Sequence, residues 1–221
     1  MTPSSCCRRG GIFRWGIHST LRQRRLSNLH GRMTACRLCP AANYPIVPPA
    51  VFSGTAEARI MVVGQAPGSQ EVTAGRPFHA GSGARLFQWL ERAGFEEIAF
   101  RRDQYITSVT KCFPGKAASG GGDRAPSKAE QALCRPFLDA QIGLVDPEII
   151  VPVGRIAVET FLPISGRFDK TIGTVEKIDG RWLVPLPHPS GASRWHQGEA
   201  NRRKIDRALR ELDRLRRRLR L

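Results

Sequence analysis

Acidic residues are scarce in this chain, with 19 Asp and Glu against 35 Lys and Arg. At the two ends they nearly vanish. Residues 1–33 hold seven arginines and no acid, and residues 201–221 hold ten basic residues against three acids. Of the formal charge of +16, only +2 then falls to residues 34–200, so the central stretch is close to neutral. Basic ends suit a polyanion such as DNA or RNA, through phosphate contacts and counterion release; a solubilising tail at each end is the plain alternative. The chain also lacks any apolar run near the ~20 residues that span a bilayer, which excludes a transmembrane helix. The first 33 residues have no continuous apolar stretch, so no secretory signal is expected. A reducing compartment follows, the cytoplasm, where grouped cysteines mean metal or redox chemistry more often than disulfides. No internal repeat is visible, which excludes a solenoid.

What remains is a chain of 221 residues, 41% hydrophobic and 24% charged, enough for one substantial soluble domain. Residues 1–32 are expected to be a loosely ordered basic leader. Its Arg-rich, acid-free composition also fits an organelle transit peptide, or a start codon placed ahead of Met33. From there strand and helix alternate. Ile60–Val63 before Gly64 reads as a buried strand, Gly83–Gly94 as a helix, and Tyr105–Val109 as a strand. Ser127 with Glu130 three residues on is a capping box opening a helix to about Leu144. Glu148–Val153 is a buried strand and Gly154–Phe161 a helix, while Asp179-Gly180 between Val175–Ile178 and Trp182–Leu186 signals a hairpin. Residues 201–221 form a basic helix with Ile205, Leu209, Leu212 and Leu219 on one face, expected to pack on the domain of residues 33–200. The alternation predicts an α/β fold, a three-layer α/β/α sandwich with a mainly parallel central sheet.

Four of the six cysteines lie outside the leader. Cys36 and Cys39 form a C-x2-C pair, with Cys112 and Cys134 far downstream. Four thiolates suit tetrahedral zinc or an iron–sulfur cubane, and the spacing leaves both open. Cysteines so distant must meet by folding, so a metal would tie the N-terminal segment to the core; buried structural cysteine is the simpler reading.

Three stretches carry a more specific likeness. Gly64-Gln65-Ala66-Pro67-Gly68, then Glu71, Gly75-Arg76-Pro77-Phe78 and Gly81, resembles the first motif of family 4 uracil-DNA glycosylases. Lys111-Cys112 and Cys134-Arg135-Pro136-Phe137-Leu138 resemble that family's last two cluster cysteines and their surroundings. His188-Pro189-Ser190 is similar to its final motif. These landmarks fall in the family order from residue 36 to about 196. The resemblance implies a [4Fe-4S] cluster on Cys36, Cys39, Cys112 and Cys134, and removal of uracil from DNA by a monomer.

Such chemistry requires a base flipped out of the duplex into a pocket. A glycine turn at Gly64–Gly68 allows backbone to approach the base closely. By the resemblance, Phe78 stacks on uracil, Ser108 meets its edge, and His188 hydrogen-bonds it as negative charge develops on departure. Ser190, Ala192, Ser193, Arg194 and Trp195 would lie against the minor groove, the last two filling the gap left by the flipped base. Two positions depart from the family pattern. Gln65 stands where family 4 has Glu, and Ser108 where it has Asn, whose amide reads a base edge with two groups where a hydroxyl offers one. Ala66 sits where another family has its catalytic Asp. Glu71 and a water positioned by Gln65 therefore become the candidates for the hydrolytic step. The loop Gly115–Pro126 contains no histidine, unlike relatives that trap the sugar covalently. The alternatives are a glycosylase for hypoxanthine or another deaminated base, a non-catalytic iron–sulfur module on damaged or single-stranded DNA, and a zinc-stabilised RNA-binding protein.

Overall fold

The computed structural model describes residues 12–79, 81–118, 120, 122–162, 168–191 and 194–221. The chain runs α1 (Ile12–Ala35), α2 (Leu38–Ala41), β1 (Ile60–Gly64), α3 (Ser69–Ala74), α4 (Gly81–Arg92), α5 (Glu97–Asp103) and β2 (Tyr105–Ser108), continuing through α6 (Lys128–Val145), β3 (Ile149–Pro152), α7 (Arg155–Phe161), β4 (Glu176–Ile178), β5 (Arg181–Leu183) and α8 (Glu199–Leu219). Short 3-10 turns lie at Phe168–Lys170 and Arg194–Gln197. Among the described residues no helix is long and apolar enough to cross a membrane.

The sheet has the order β2-β1-β3-β5-β4. Its first four strands pair in parallel and only β4 runs antiparallel, as the outer arm of a hairpin with β5. That turn passes through Asp179 and Gly180 with φ of 49° and 82°, the positive pair that a tight hairpin of right-twisted strands demands. β1, β2 and β3 are buried along their whole length, as parallel strands covered on both faces must be.

From β1 the chain steps one way to β2, then back across the sheet to β3. Right-handed crossovers therefore put α4 and α5 on one face and α6 on the other. Side chains agree with this placement. Thr107 Oγ1 donates to Gln141 Oε1 of α6 at 3.2 Å, and Gln141 Nε2 donates to the Tyr105 hydroxyl at 2.8 Å. Lys128 of α6 pairs with Glu159 of α7 at 3.8 Å, so α7 shares that face. On the opposite face α8 lies along α4, with Arg92 paired to Asp206 at 2.5 Å. α8 turns Ile205, Ala208, Leu209, Leu212 and Leu215 inward, while Leu219 is partly buried.

The expectation of a loosely ordered leader at residues 1–32 is corrected from residue 12 onward. α1 reaches Ala35 and lies along α6, burying Leu26, Leu29 and Met33 in the main core. Ala56 N–H donates to Gln23 Oε1 at 2.8 Å, Arg22 Nη2 donates to Val145 O at 3.2 Å, and His30 Nε2 meets the Tyr105 hydroxyl at 2.6 Å. The apolar stripe is only three residues wide and arginines surround it, so periodicity gives it little signal, yet its i, i+3, i+7 spacing is helical. Residues 1–11 lie outside the described residues.

Candidate active site

A cleft of about 630 Å³ opens beyond the carboxyl ends of β1 and β2, where the chain reverses its direction across the sheet. Ligands of open parallel sheets bind at such a switch point, because loops diverge there and leave a crevice. The cleft gathers Gly64, Gln65, Glu71, Phe78, Ser108, His188 and Ser190 from three separate loops. Four of those residues come from the end of β1 and the turn, short helix and loop that follow it.

Phe78 forms one wall and is held in an unusual backbone conformation, φ +50°, which a residue with a side chain adopts only under restraint. The restraint comes from Arg101 of α5. Its Nη1 donates to Pro77 O at 2.8 Å and its Nη2 to Phe78 O at 2.6 Å. The guanidinium also sits 4.0 Å over the Phe87 ring and pairs with Glu97 at 2.7 Å. Two glycines make room. A Cβ at Gly83 would fall 1.8 Å from Phe78 O, and one at Gly64 would meet the Phe78 ring at 3.0 Å.

His188 is buried, and burial holds its pKa below the ordinary histidine value. The Ser190 N–H donates to His188 Nδ1 at 3.2 Å. With Nδ1 engaged as an acceptor, a neutral ring carries its proton on Nε2, so the free nitrogen is a donor. Gly154, at φ +89°, lets the ring lie close: a Cβ there would stand 3.2 Å from His188 Cδ2. Arg85 of α4 donates to Pro189 O at 2.5 Å and fixes the next peptide.

Glu71 lines the cleft, but its carboxylate is engaged by backbone. Gly68 N–H donates to Oε2 at 2.7 Å, and the amides of Phe78 and His79 bond to it as well. Burial still raises its pKa, against those amides. Glu71 thus closes the loop Gly68–His79 on itself. Gln65 donates no side-chain hydrogen bond to the described residues, and its carbonyl accepts Thr110 N–H at 3.2 Å. Ser108 is buried at the floor, where Lys111 Nζ donates to its carbonyl.

The rim contains residues the motifs do not mark. Asp123 lines the cleft, paired with Lys116 at 2.7 Å, with Oδ2 3.0 Å from where a Gly68 Cβ would stand. Arg124 beside it binds Glu130 with both terminal nitrogens. A carboxylate in a Gly-rich loop carries no local pattern, so only folding reveals Asp123 and Arg101. Trp195 is not among the cleft residues. It is half-buried, 6.4 Å from the Phe168 ring, with Lys204 Nζ 5.9 Å above it. Packed there, it is not a free wedge. Ala192 and Ser193 lie outside the described residues, and only the backbone of Arg194 is described.

A second pocket lies behind the floor. Cys36, Cys39, Cys112 and Cys134 line it together with apolar residues that include Met33, Ile46 and Phe137. Cys36 follows α1, Cys39 lies in α2, Cys112 follows β2 and Cys134 is on α6, and all four are free thiols. Burial pushes Cys39 up to about 11, helped by Cys134 and Cys36, and Cys112 up to about 12, helped by its three fellow thiols. Cysteines so placed become ligands only if a cation offsets that penalty. Among the described residues no three ligating side chains converge on a point for a single ion. The Lys111 N–H donates to Cys134 Sγ at 3.3 Å, the kind of contact that stabilises a thiolate.

The family model described as the uracil DNA glycosylase superfamily matches residues 52–213. The chain is 34% identical over 153 residues to a type-4 uracil-DNA glycosylase of Pyrobaculum aerophilum, covering 68% of this chain and 71% of that protein. It is also 34% identical over 176 residues to a type-4 uracil-DNA glycosylase of Thermotoga maritima, covering 77% and 84%. A third similar protein, the type-4 enzyme of Sulfurisphaera tokodaii, is 33% identical over 151 residues, 63% of each chain.

Proposed function

Because this chain belongs to the uracil-DNA glycosylase superfamily, we propose that its cleft hydrolyses the N-glycosidic bond of a uracil flipped out of DNA. The observation that carries the reading is the fixed tautomer of His188 at the cleft, with Nδ1 occupied by Ser190 N–H and Nε2 left to donate. As the bond to the sugar lengthens, negative charge gathers on the departing base. A preset donor at that point is worth about 10²–10³ in kcat. Burial keeps His188 neutral near pH 7, so the donor is an N–H and no prior protonation is needed.

Phe78 presents its ring at the wall for stacking, and Ser108 offers the floor one hydroxyl. Gln65, with an uncommitted amide, would orient the water that attacks the sugar. Glu71 is better suited to hold the loop than to activate water, since three backbone amides claim its carboxylate. Asp123 is the cleft carboxylate better placed to favour positive charge on the sugar, its partner being one exposed lysine. Ser190 would contact the DNA backbone beside the site, as would Ala192, Ser193 and Arg194.

We further propose that the four cysteines hold a [4Fe-4S] cluster. The residues fit: four free thiols from distant segments line one apolar pocket. When bound, the cluster would supply a structural tie, since hydrolysis moves no electrons. The protein is expected to act as a monomer in the cytoplasm.

The test is strand cleavage, after alkali, of a labelled oligonucleotide with one uracil, using the cluster-loaded protein and His188→Ala. Cutting by the wild type and little by the variant supports the reading. A wild type that leaves uracil and cuts at hypoxanthine would overturn the base assignment and turn attention to Ser108.

A further inference from the structure

The charge that the sequence concentrates in residues 201–221 is ordered by α8 into a row. Arg203, Arg207, Arg210, Arg214 and Arg217 recur at alternating spacings of four and three, and all five are exposed. That spacing keeps them on one helical face, opposite the buried Ile205, Leu209 and Leu212. At 1.5 Å per residue the row is about 21 Å long. It begins just past the loop that carries His188 and runs to the far end of the sheet, where Arg59 Nη2 donates to Leu219 O at 2.8 Å.

The row differs from the other basic residues of the same helix in what it does for the fold. Lys204, the one lysine of α8, turns inward to Asp169 O at 2.7 Å, and Arg216 donates to Ala93 O at 3.2 Å. In the row, Arg203, Arg214 and Arg217 pair, among the described residues, only with carboxylates of their own helix, Glu199, Glu211 and Asp213. Exposed pairs of this kind are worth about 0–1 kcal/mol and exchange readily for a better anion. Arg207 and Arg210, at the centre, pair with no acid among the described residues. Like charges at this spacing repel by a few tenths of a kcal/mol per pair, so the row costs the isolated helix stability. Planar guanidinium groups are the donors best matched to phosphate oxygens.

We propose that this arginine row is a second DNA-contact surface, taking backbone phosphates of duplex beyond the stretch held at the cleft. The proposal rests on the DNA-directed reading of the cleft but concerns a separate face. Over about 21 Å of axis a duplex presents about 12 phosphates, ample to engage five guanidiniums. Such contacts carry no sequence information and would hold the protein on undamaged DNA between lesions.

The experiment compares wild type with the double variant Arg207→Gln/Arg210→Gln, both cluster-loaded, binding a uracil-free duplex at several salt concentrations. Glutamine keeps helix propensity, and the sites are exposed, so thermal unfolding should be unchanged or slightly raised. Loss of two phosphate contacts should make the slope of log K against log salt shallower by about 1.8. The affinity gap between the two proteins then narrows about tenfold between about 50 and 200 mM salt. An unchanged slope overturns the proposal and leaves the row a solvated face. An unchanged slope with weakened binding to poly-glutamate overturns it in favour of an acidic protein partner. Because the duplex lacks uracil, failure of excision would be seen separately and would leave this comparison readable.

Discussion

The cleft and the cysteine pocket sit on two sides of one strand end and are built by opposite means. The cleft is shaped by backbone held from behind: Arg101 grips the carbonyls of Pro77 and Phe78, Arg85 that of Pro189, and Glu71 three amides. Glycines at 64, 83 and 154 clear the space these peptides need. The cysteine pocket is braced locally, by Arg37 Nη1 on the carbonyls of Thr34 and Cys36 and by the Lys111 N–H on Cys134 Sγ. Its thiols come from four segments and line an apolar wall, and burial raises the pKa of Cys39, Cys112 and Cys134. One region is preorganised by the chain, and the other is where the proposed cluster would add its tie. Lys111 joins them, its N–H on Cys134 Sγ and its ammonium on the Ser108 carbonyl, so the stretch from Ser108 to Cys112 supplies both the cleft floor and a thiol of the pocket.

That contrast fixes what each perturbation should do. The largest loss is expected for Cys112→Ala, which leaves three thiols: folded yield and visible colour should fall together, and full activity in a colourless variant would break the distinction. Next, His188→Ala should lower kcat by about 10²–10³ with little change in thermal midpoint, read from single-turnover excision. Arg101→Met should strand two carbonyls at about 1–3 kcal/mol, seen as a lower thermal midpoint together with a weaker KM for uracil-containing strands. Arg101→Lys should recover part of the stability but not the fork. Acid gives a smaller effect. His30 and His188 are both held below the ordinary value by burial, so below about pH 6.5 the unfolded chain takes up protons that the folded one refuses. Stability should therefore decline as pH drops through that range, measurable as a falling urea midpoint, and His188→Gln should soften the decline. The smallest is Ser127→Ala, about 1 kcal/mol, since it removes one half of the capping box that starts the helix carrying Cys134.

Much of this arrangement was legible in the residues. Ile60–Gly64 and Ile149–Pro152 are apolar runs closed by glycine or proline, and Asp179-Gly180 names its own turn. Gly64, Phe78 and His188 sit in motifs because their backbone surroundings are tightly specified. What escaped was whatever depends on distance. Arg101 looks like one more helix arginine until its fork is seen on Phe78, and Asp123 like a loop acid until the loop folds over Gly68. α1 was hidden by composition, because seven arginines in residues 1–33 mask three inward apolar side chains. Glu71 gained a feature that the sequence does not show. Its place in a motif suggested chemistry, and folding adds three backbone amides that hold its carboxylate.

α1 also sets a practical boundary for handling the protein. A truncation starting at Met33 would keep all four thiols, the cleft and the arginine row, and by motif it would look complete. It would nevertheless strip Leu26 and Leu29 from the core and leave the Tyr105 hydroxyl without its histidine. Fresh apolar surface would open along α6, beside the cysteine that follows α1. Such a shortened protein should precipitate on expression, and proteolysis between Arg24 and Arg25 should be a route to inactivation that never touches the cleft.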